Sequence, residues 1–200
     1  MNIAVYSGSF NPLHNGHLSL CRYLAGHPSL NLDEVWLMVT PRNPLKTDVF
    51  MASDEWRLTM AREACKHVPG IQVSDFEMSL TPPFYSWKTL QALSSKYPHH
   101  NFKLVIGADN WVTFDKWYNP ANIIADYGLI IYPRPGFTIN SDVSLPANVI
   151  YLNDAPLMDI SSSYIRELIA NHQDIKGLVP DNVANFIKSH KLYKEKHNDK

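Results

Sequence analysis

Gly8-Ser9-Phe10-Asn11-Pro12-Leu13-His14-Asn15-Gly16-His17 decides how the rest of the chain is read. The apolar run Ile3-Ala4-Val5-Tyr6 leads into it, and Leu18, Cys21, Leu24 and Ala25 follow at helical spacing, closed by Gly26 and Pro28. The order is strand, tight loop, helix. Glycine lets the backbone approach a bulky anion, and the free N–H groups at a helix start favour negative charge. Two imidazoles at the same mouth point to phosphate. Two other readings stay open: an ordinary glycine-bearing turn, and a metal site on His14 and His17. The second has no neighbouring Cys, Asp or Glu to complete a ligand set. The glycine-rich dinucleotide fingerprint and the lysine-bearing phosphate loop are both absent.

Outward from this stretch, strands and helices alternate. Val35–Val39 is an unbroken apolar run, as a strand covered on both faces requires. A proline-punctuated loop, Thr40-Pro41-Arg42-Asn43-Pro44-Leu45-Lys46, ends it. Ser53 is expected to cap a helix whose first turn carries Asp54 and Glu55 and whose apolar stripe is Trp56, Met60 and Ala64. A short strand follows at Ile71, Val73 and Phe76, and Ser86 is expected to cap the next helix. Strands are also expected at Phe102–Ile106, Tyr127–Tyr132 and Val149–Leu152. The first of these leads straight into Gly107-Ala108-Asp109-Asn110, a glycine and a carboxylate at a strand end, where open parallel sheets bind ligands. The aromatic segment after it includes Trp111 and Phe114, read as core packing. Residues 137–147 are a polar excursion. Asp159-Ile160-Ser161-Ser162-Ser163 opens a helix bearing Arg166, which reads equally as a second anion site or a plain serine cap. Pro180 opens a final amphipathic helix with Val183, Phe186 and Ile187. The alternation predicts a doubly wound, mostly parallel α/β sheet in a single domain spanning 1–200, with residues about 161–193 forming a small C-terminal helical appendage.

Composition narrows the function. The 200 residues are 45% hydrophobic, enough for a sizeable core. Eighteen basic and nineteen acidic residues give a net charge of −1, so no basic excess points to nucleic acid. Cys21 and Cys65 fall in helical patterns and are expected to be buried free thiols rather than a disulfide framework. Neither a signal peptide nor a membrane span is visible, so the expectation is a cytoplasmic protein.

The pattern Gly-x-Phe-x-Pro-x-His-x-Gly-His resembles the signature of the nucleotidyltransferase superfamily that shares its histidine motif with class I aminoacyl-tRNA synthetases. Further motifs extend the resemblance: Pro-x-x-Pro-x-Lys at 41–46, Pro-x-Tyr-Ser at 83–86, Ile-Gly-x-Asp at 106–109, Thr-Phe-x-x-Trp-Tyr at 113–118, Arg-Pro-Gly at 134–136 and Ile-Ser-Ser-x-x-Ile-Arg at 160–166. In this order they resemble the bacterial nicotinate-nucleotide adenylyltransferase family. The resemblance implies a Rossmann-like nucleotidyltransferase fold and a reaction joining ATP to nicotinate mononucleotide with release of pyrophosphate. Another adenylyl- or cytidylyltransferase of the superfamily, or a non-catalytic nucleotide sensor, is the alternative.

By the same resemblance, His14, His17, Lys46 and Arg166 are the catalytic residues. Gly8, Ser9, Phe10, Gly16, Gly107, Asp109, Ile160, Ser161 and Ser162 join His14, His17 and Arg166 in binding ATP. Ser9, Lys46, Tyr85, Ser86, Trp117, Tyr118 and Arg134 would receive nicotinate mononucleotide, with Trp117 stacking on the pyridine ring. Mg²⁺ is expected on the ATP phosphates, and no protein-held metal. The chain departs from the family pattern at Asn11, where aspartate is common, at Ser9 and Ser86, where threonine is, and at Leu45, where histidine is frequent.

Overall fold

A computed structural model describes residues 1–42, 51–137, 139, 144–157 and 159–194. Six strands form one sheet: β1 (Asn2–Gly8), β2 (Glu34–Val39), β3 (Ile71–Ser74), β4 (Asn101–Gly107), β5 (Leu129–Tyr132) and β6 (Val149–Tyr151). Their order is β3-β2-β1-β4-β5-β6, and every pairing is parallel. The helices are α1 (Asn15–Gly26), α2 (Asp54–Cys65), α3 (Ser86–Lys96), α4 (Ala108–Trp111), α5 (Pro120–Asp126), α6 (Ser162–Ala170) and α7 (Asp181–Ser189). The chain winds outward from β1 to β3, then returns to β4 beside β1 and winds the other way. That reversal leaves a crevice beyond the carboxyl ends of β1 and β4, which is where doubly wound sheets bind their ligands.

The two-residue period of each strand sorts its side chains into two cores. Ala4, Tyr6, Val35, Leu37, Val105 and Ile130 face one layer with α1, α2, α6 and α7; Ile3, Val5, Met38, Leu104, Leu129 and Ile131 face the other with α3 and α5. Each such fully buried aliphatic side chain contributes roughly 1.5–3 kcal/mol. The C-terminal helices are part of the first core, since Ile165, Val183 and Ile187 are buried in it. Cys21 and Cys65 are buried free thiols there, and burial pushes the Cys65 thiol up to about 11. No helix among the described residues is long and apolar enough to cross a membrane.

Two local expectations shift by one residue. Trp56 is 38% exposed, and its neighbour Arg57 takes the inward position with Met60, Ala61 and Ala64. Ser86 is the first residue of α3 rather than its cap; Tyr85 holds the cap position and offers no side-chain bond. Ser53 and Ser161 do cap, accepting from the N–H groups of Trp56 (3.2 Å) and Tyr164 (3.1 Å). Phe76 stands just past β3, in a single 3₁₀ turn.

Candidate active site

β1 ends at Gly8 because the next turn folds an aromatic ring back onto it. A Cβ at Gly8 would lie 3.1 Å from the Phe10 ring. Phe10 has a left-handed backbone (φ 43°), which costs a non-glycine residue roughly 1–3 kcal/mol. Its ring is buried edge-on against Tyr6 and His17, at centroid distances of 5.5 and 4.9 Å, and this packing holds the strained turn.

The loop delivers His14 to the cap position of α1, where it forms a reciprocal cap with His17. His14 Nδ1 accepts the His17 N–H at 3.4 Å, and His17 Nδ1 accepts the His14 N–H at 3.2 Å. The rings stack at 3.5 Å. Because each Nδ1 is an acceptor, a neutral ring must carry its proton on Nε2. Both rings are neutral at pH 7: burial, aided by Arg134, lowers His14 to about 4. Burial together with the neighbouring His14 and Arg134 holds His17 well below the usual histidine range. The start of α1 therefore presents two uncharged N–H donors in fixed orientation.

Hydrogen bonds to α2, to α6 and to the segments carrying Ala52, Gly177 and Tyr193 hold the loop in place. Ser9 O accepts from the buried Arg57 guanidinium at 2.5 Å, and Arg57 also pairs with Asp54 at 2.6 Å. Asn11 Oδ1 accepts from the Ala52 N–H (3.1 Å) and the Tyr193 hydroxyl (2.7 Å). Asn11 O accepts from Arg166 at 2.8 Å, and Pro12 O from the Ser162 hydroxyl at 2.9 Å. Asn15 donates to Gly177 O at 2.8 Å. Arg166 lies in the second turn of α6, and its side chain runs back along the helix, as helical geometry favours.

Two adjoining cavities open at the crevice. One, of about 390 Å³, is lined by Ser9, His14, His17, Thr40, Arg134, the serines 161–163 and Arg166. The other, of about 530 Å³, is lined by Asp109, Arg134, Phe137, Ile160, Ser161 and Tyr164. Arg134, Ile160 and Ser161 border both. Arg134 Nε stands 3.7 Å from Asp109 Oδ1, and that oxygen is buried without a hydrogen-bond partner. Gly107 is required here, since a Cβ would strike Asp109 Oδ1 and come within 2.9 Å of the Arg134 side chain.

Gly16 lines a small hollow beneath the histidines, with Tyr6 and Tyr132. Tyr85 and Tyr118 lie outside these cavities. Their rings stack at 4.7 Å and both are exposed, with Lys88 Nζ 5.6 and 5.9 Å from the two centroids. Trp117, half-buried, packs against Phe114 at 5.2 Å. The Tyr85 N–H is turned to Pro83 O at 3.0 Å, so the N–H groups ahead of the first intrahelical bond of α3 are those of Ser86, Trp87 and Lys88. Lys46 and Leu45 lie outside the described residues.

The cytidylyltransferase-like family model matches residues 5–168. A Bacteroides fragilis protein named probable nicotinate-nucleotide adenylyltransferase is 44% identical over 86% of this chain and 84% of its own. A Bacteroides thetaiotaomicron protein of the same name is 40% identical over 95% and 92%. The chain belongs to the nicotinate-nucleotide adenylyltransferase family. Its fold is also that of Plasmodium falciparum nicotinic acid mononucleotide adenylyltransferase complexed with NaAD, with a TM-score of 0.78 and 20% identity over 96% of this chain and 97% of that one.

Within this family's signature, sequence reasoning missed the residues that support the loop from behind. Arg57 was hidden because a helical stripe read from apolar residues has no place for a guanidinium. Tyr193 stands 182 positions from the Asn11 side chain it meets. Its pairing with the buried Asn11 side chain has no local signal. Only the helical period of α2, taken one residue further round, could have found Arg57.

Proposed function

We propose that this protein transfers the adenylyl group of ATP to nicotinate mononucleotide, forming nicotinate adenine dinucleotide and pyrophosphate in NAD biosynthesis. The observation that carries the reading is the reciprocal His14–His17 cap lining the 390 Å³ cavity, in a chain of this family. The nucleophile is the mononucleotide phosphate, largely ionised at neutral pH because its second pKa is about 6. No strong base is needed, and two neutral Nε2–H donors would make poor ones. What the reaction needs is donors placed where charge grows. A mononucleotide phosphate oxygen bonds to the α-phosphorus as the bond from that phosphorus to the bridging oxygen of the β-phosphate breaks. The Nε2–H groups of His14 and His17 donate to phosphoryl oxygens as charge accumulates there.

Arg134, bordering both cavities, spans from phosphates to nucleoside. Asp109 Oδ1, which accepts no hydrogen bond within the protein, is suited to accept from ribose hydroxyls, and Ser161 to contact phosphate. Lys46 would face the reacting phosphates by family resemblance. Among the described residues, the polar lining of the 390 Å³ cavity consists of hydroxyls, imidazoles, guanidinium groups and the Asn11 amide, with no carboxylate. This donor set fits phosphate oxygens rather than a bare cation. We therefore assign Mg²⁺ to the ATP phosphates, where it would neutralise leaving-group charge. By family resemblance Trp117 would stack on the nicotinate ring, and Tyr85, Ser86 and Tyr118 would border the same pocket, with backbone N–H groups receiving the carboxylate. A reaction drawing on ATP fits the cytoplasm.

The test is pyrophosphate release from Mg·ATP with nicotinate mononucleotide, nicotinamide mononucleotide or phosphopantetheine. The expected result is turnover with the first and a kcat/KM at least about tenfold lower with the second, because an amide sets a donor against a donor. Turnover with phosphopantetheine alone would overturn the reading.

A further inference from the structure

The Tyr85–Ser86 segment ends an exposed loop: Thr81, Pro82, Pro83 and Tyr85 all face solvent. Reading a carboxylate with backbone N–H groups requires those groups to be held closely in place. The order of this loop is set at its base. Glu77, 4% exposed, lies in the 3₁₀ turn Phe76–Ser79 on one side; Thr89, 2% exposed, lies in the second turn of α3 on the other. The Thr89 hydroxyl donates to Glu77 Oε1 at 2.6 Å and lies 3.3 Å from Tyr85 O. The Thr89 N–H donates to that same Tyr85 carbonyl at 3.0 Å.

This buried pair closes the span that carries Tyr85, and it is an expensive way to do so. Burial drives the Glu77 pKa up, only partly offset by the Thr89 bond, and Glu77 Oε2 is buried without a hydrogen-bond partner. An apolar pair of similar volume would fill the space without desolvating a carboxyl group. A directional bond is what an apolar pair could not supply.

We propose that Glu77 and Thr89 are positioning residues for nicotinate mononucleotide: their hydrogen bond fixes the first turn of α3 through the Tyr85 carbonyl and aims its N–H groups at the substrate carboxylate. The proposal rests on the substrate reading above. It is distinct from the histidine loop, which it does not touch.

The experiment is steady-state kinetics on the full chain, comparing Thr89→Val, Thr89→Ser and the core control Leu93→Ala. Thr89→Val keeps the shape of threonine and removes the hydroxyl. It is expected to raise KM for nicotinate mononucleotide about tenfold, the worth of one buried hydrogen bond, with KM for ATP within about twofold of wild type. Thr89→Ser restores the donor and should restore KM. Leu93→Ala, at a fully buried position on the same helix, lowers thermal stability without splitting the two KM values. Equal rises in both KM values, a serine variant no better than valine, a KM split in Leu93→Ala, or wild-type behaviour of Thr89→Val would each overturn the positioning role. A wild-type protein that leaves nicotinate mononucleotide unreacted overturns the substrate reading, and this proposal with it.

Discussion

The histidine loop and the tyrosine edge both follow strand ends on the carboxyl side of the sheet, and they are built on opposite plans. Asn11 and His14 are 1% and 4% exposed, whereas Tyr85 and Tyr118 are 41% and 46% exposed. In the loop, the carbonyls of residues 9, 11 and 12 each accept from a side chain of another element. At the edge, two tyrosines stack on each other beneath a lysine, contacts worth about 0.5–1.5 kcal/mol for the ring pair and up to about 1 for an exposed cation–π pair. The difference fits the roles proposed for the two halves. Stabilising charge that develops in the transition state works only if donors are already in place, so that reorganisation is not part of the barrier. Receiving a flat ring calls for surface the substrate itself can bury, with order confined to the loop base at Glu77 and Thr89.

The comparison breaks most readily at His17. His17→Ala is expected to lower kcat by about 10²–10³ while the protein still folds; near-wild-type turnover would make His17 only a cap. Next comes pH. His14 titrates near 4 when folded, below its ordinary 6.5, so the unfolded chain binds the proton first. Stability should then be unaffected above about pH 6.5 and fall by on the order of 3 kcal/mol as pH drops towards 4. Urea titrations across that window should show a shallower decline in His14→Asn. Arg57→Met should cost about 2–3 kcal/mol in the same titrations, at the low end for a buried ion pair because Asp54 reaches solvent. It should also lower kcat by releasing Ser9 O. Tyr85→Ala is the smallest effect: stability within about 0.5 kcal/mol of wild type, with a raised KM for the mononucleotide alone. A Tyr85→Ala variant as unstable as Arg57→Met would erase the contrast between the two regions.

The same contrast governs what could be read from the sequence. Five of the six strands were legible as apolar runs and β3 as a short alternation, and the Gly8–His17 stretch announced a strand, a loop and a helix because its pattern is local. Caps at Ser53 and Ser161 are local too. The stripe expected for α2 holds at Met60 and Ala64 and fails at Trp56, where Arg57 is the buried neighbour; the Ser9 carbonyl that accepts from Arg57 is 48 residues away. The serine cluster 161–163 with Arg166 read as an anion site or a serine cap; Ser161 is the cap, while the Ser162 and Arg166 side chains also reach the carbonyls of Pro12 and Asn11, 150 and 155 residues away. Glu77 carries no pattern at all until Thr89 is seen beside it. The residues proposed to meet substrate carry motifs, while those that hold them show only in long-range bonds.

The central claim is that His14 and His17 are both neutral, with Nδ1 accepting from each other's backbone and Nε2–H free to donate. A long-range ¹H–¹⁵N correlation spectrum of the imidazoles, followed from pH 8 to about pH 4, tests it directly. The expected spectrum at pH 7 shows both rings as the Nε2–H tautomer, with His14 taking up a second proton only near pH 4. A cationic ring at pH 7, or a proton on either Nδ1, would contradict the reciprocal cap and the donor role drawn from it.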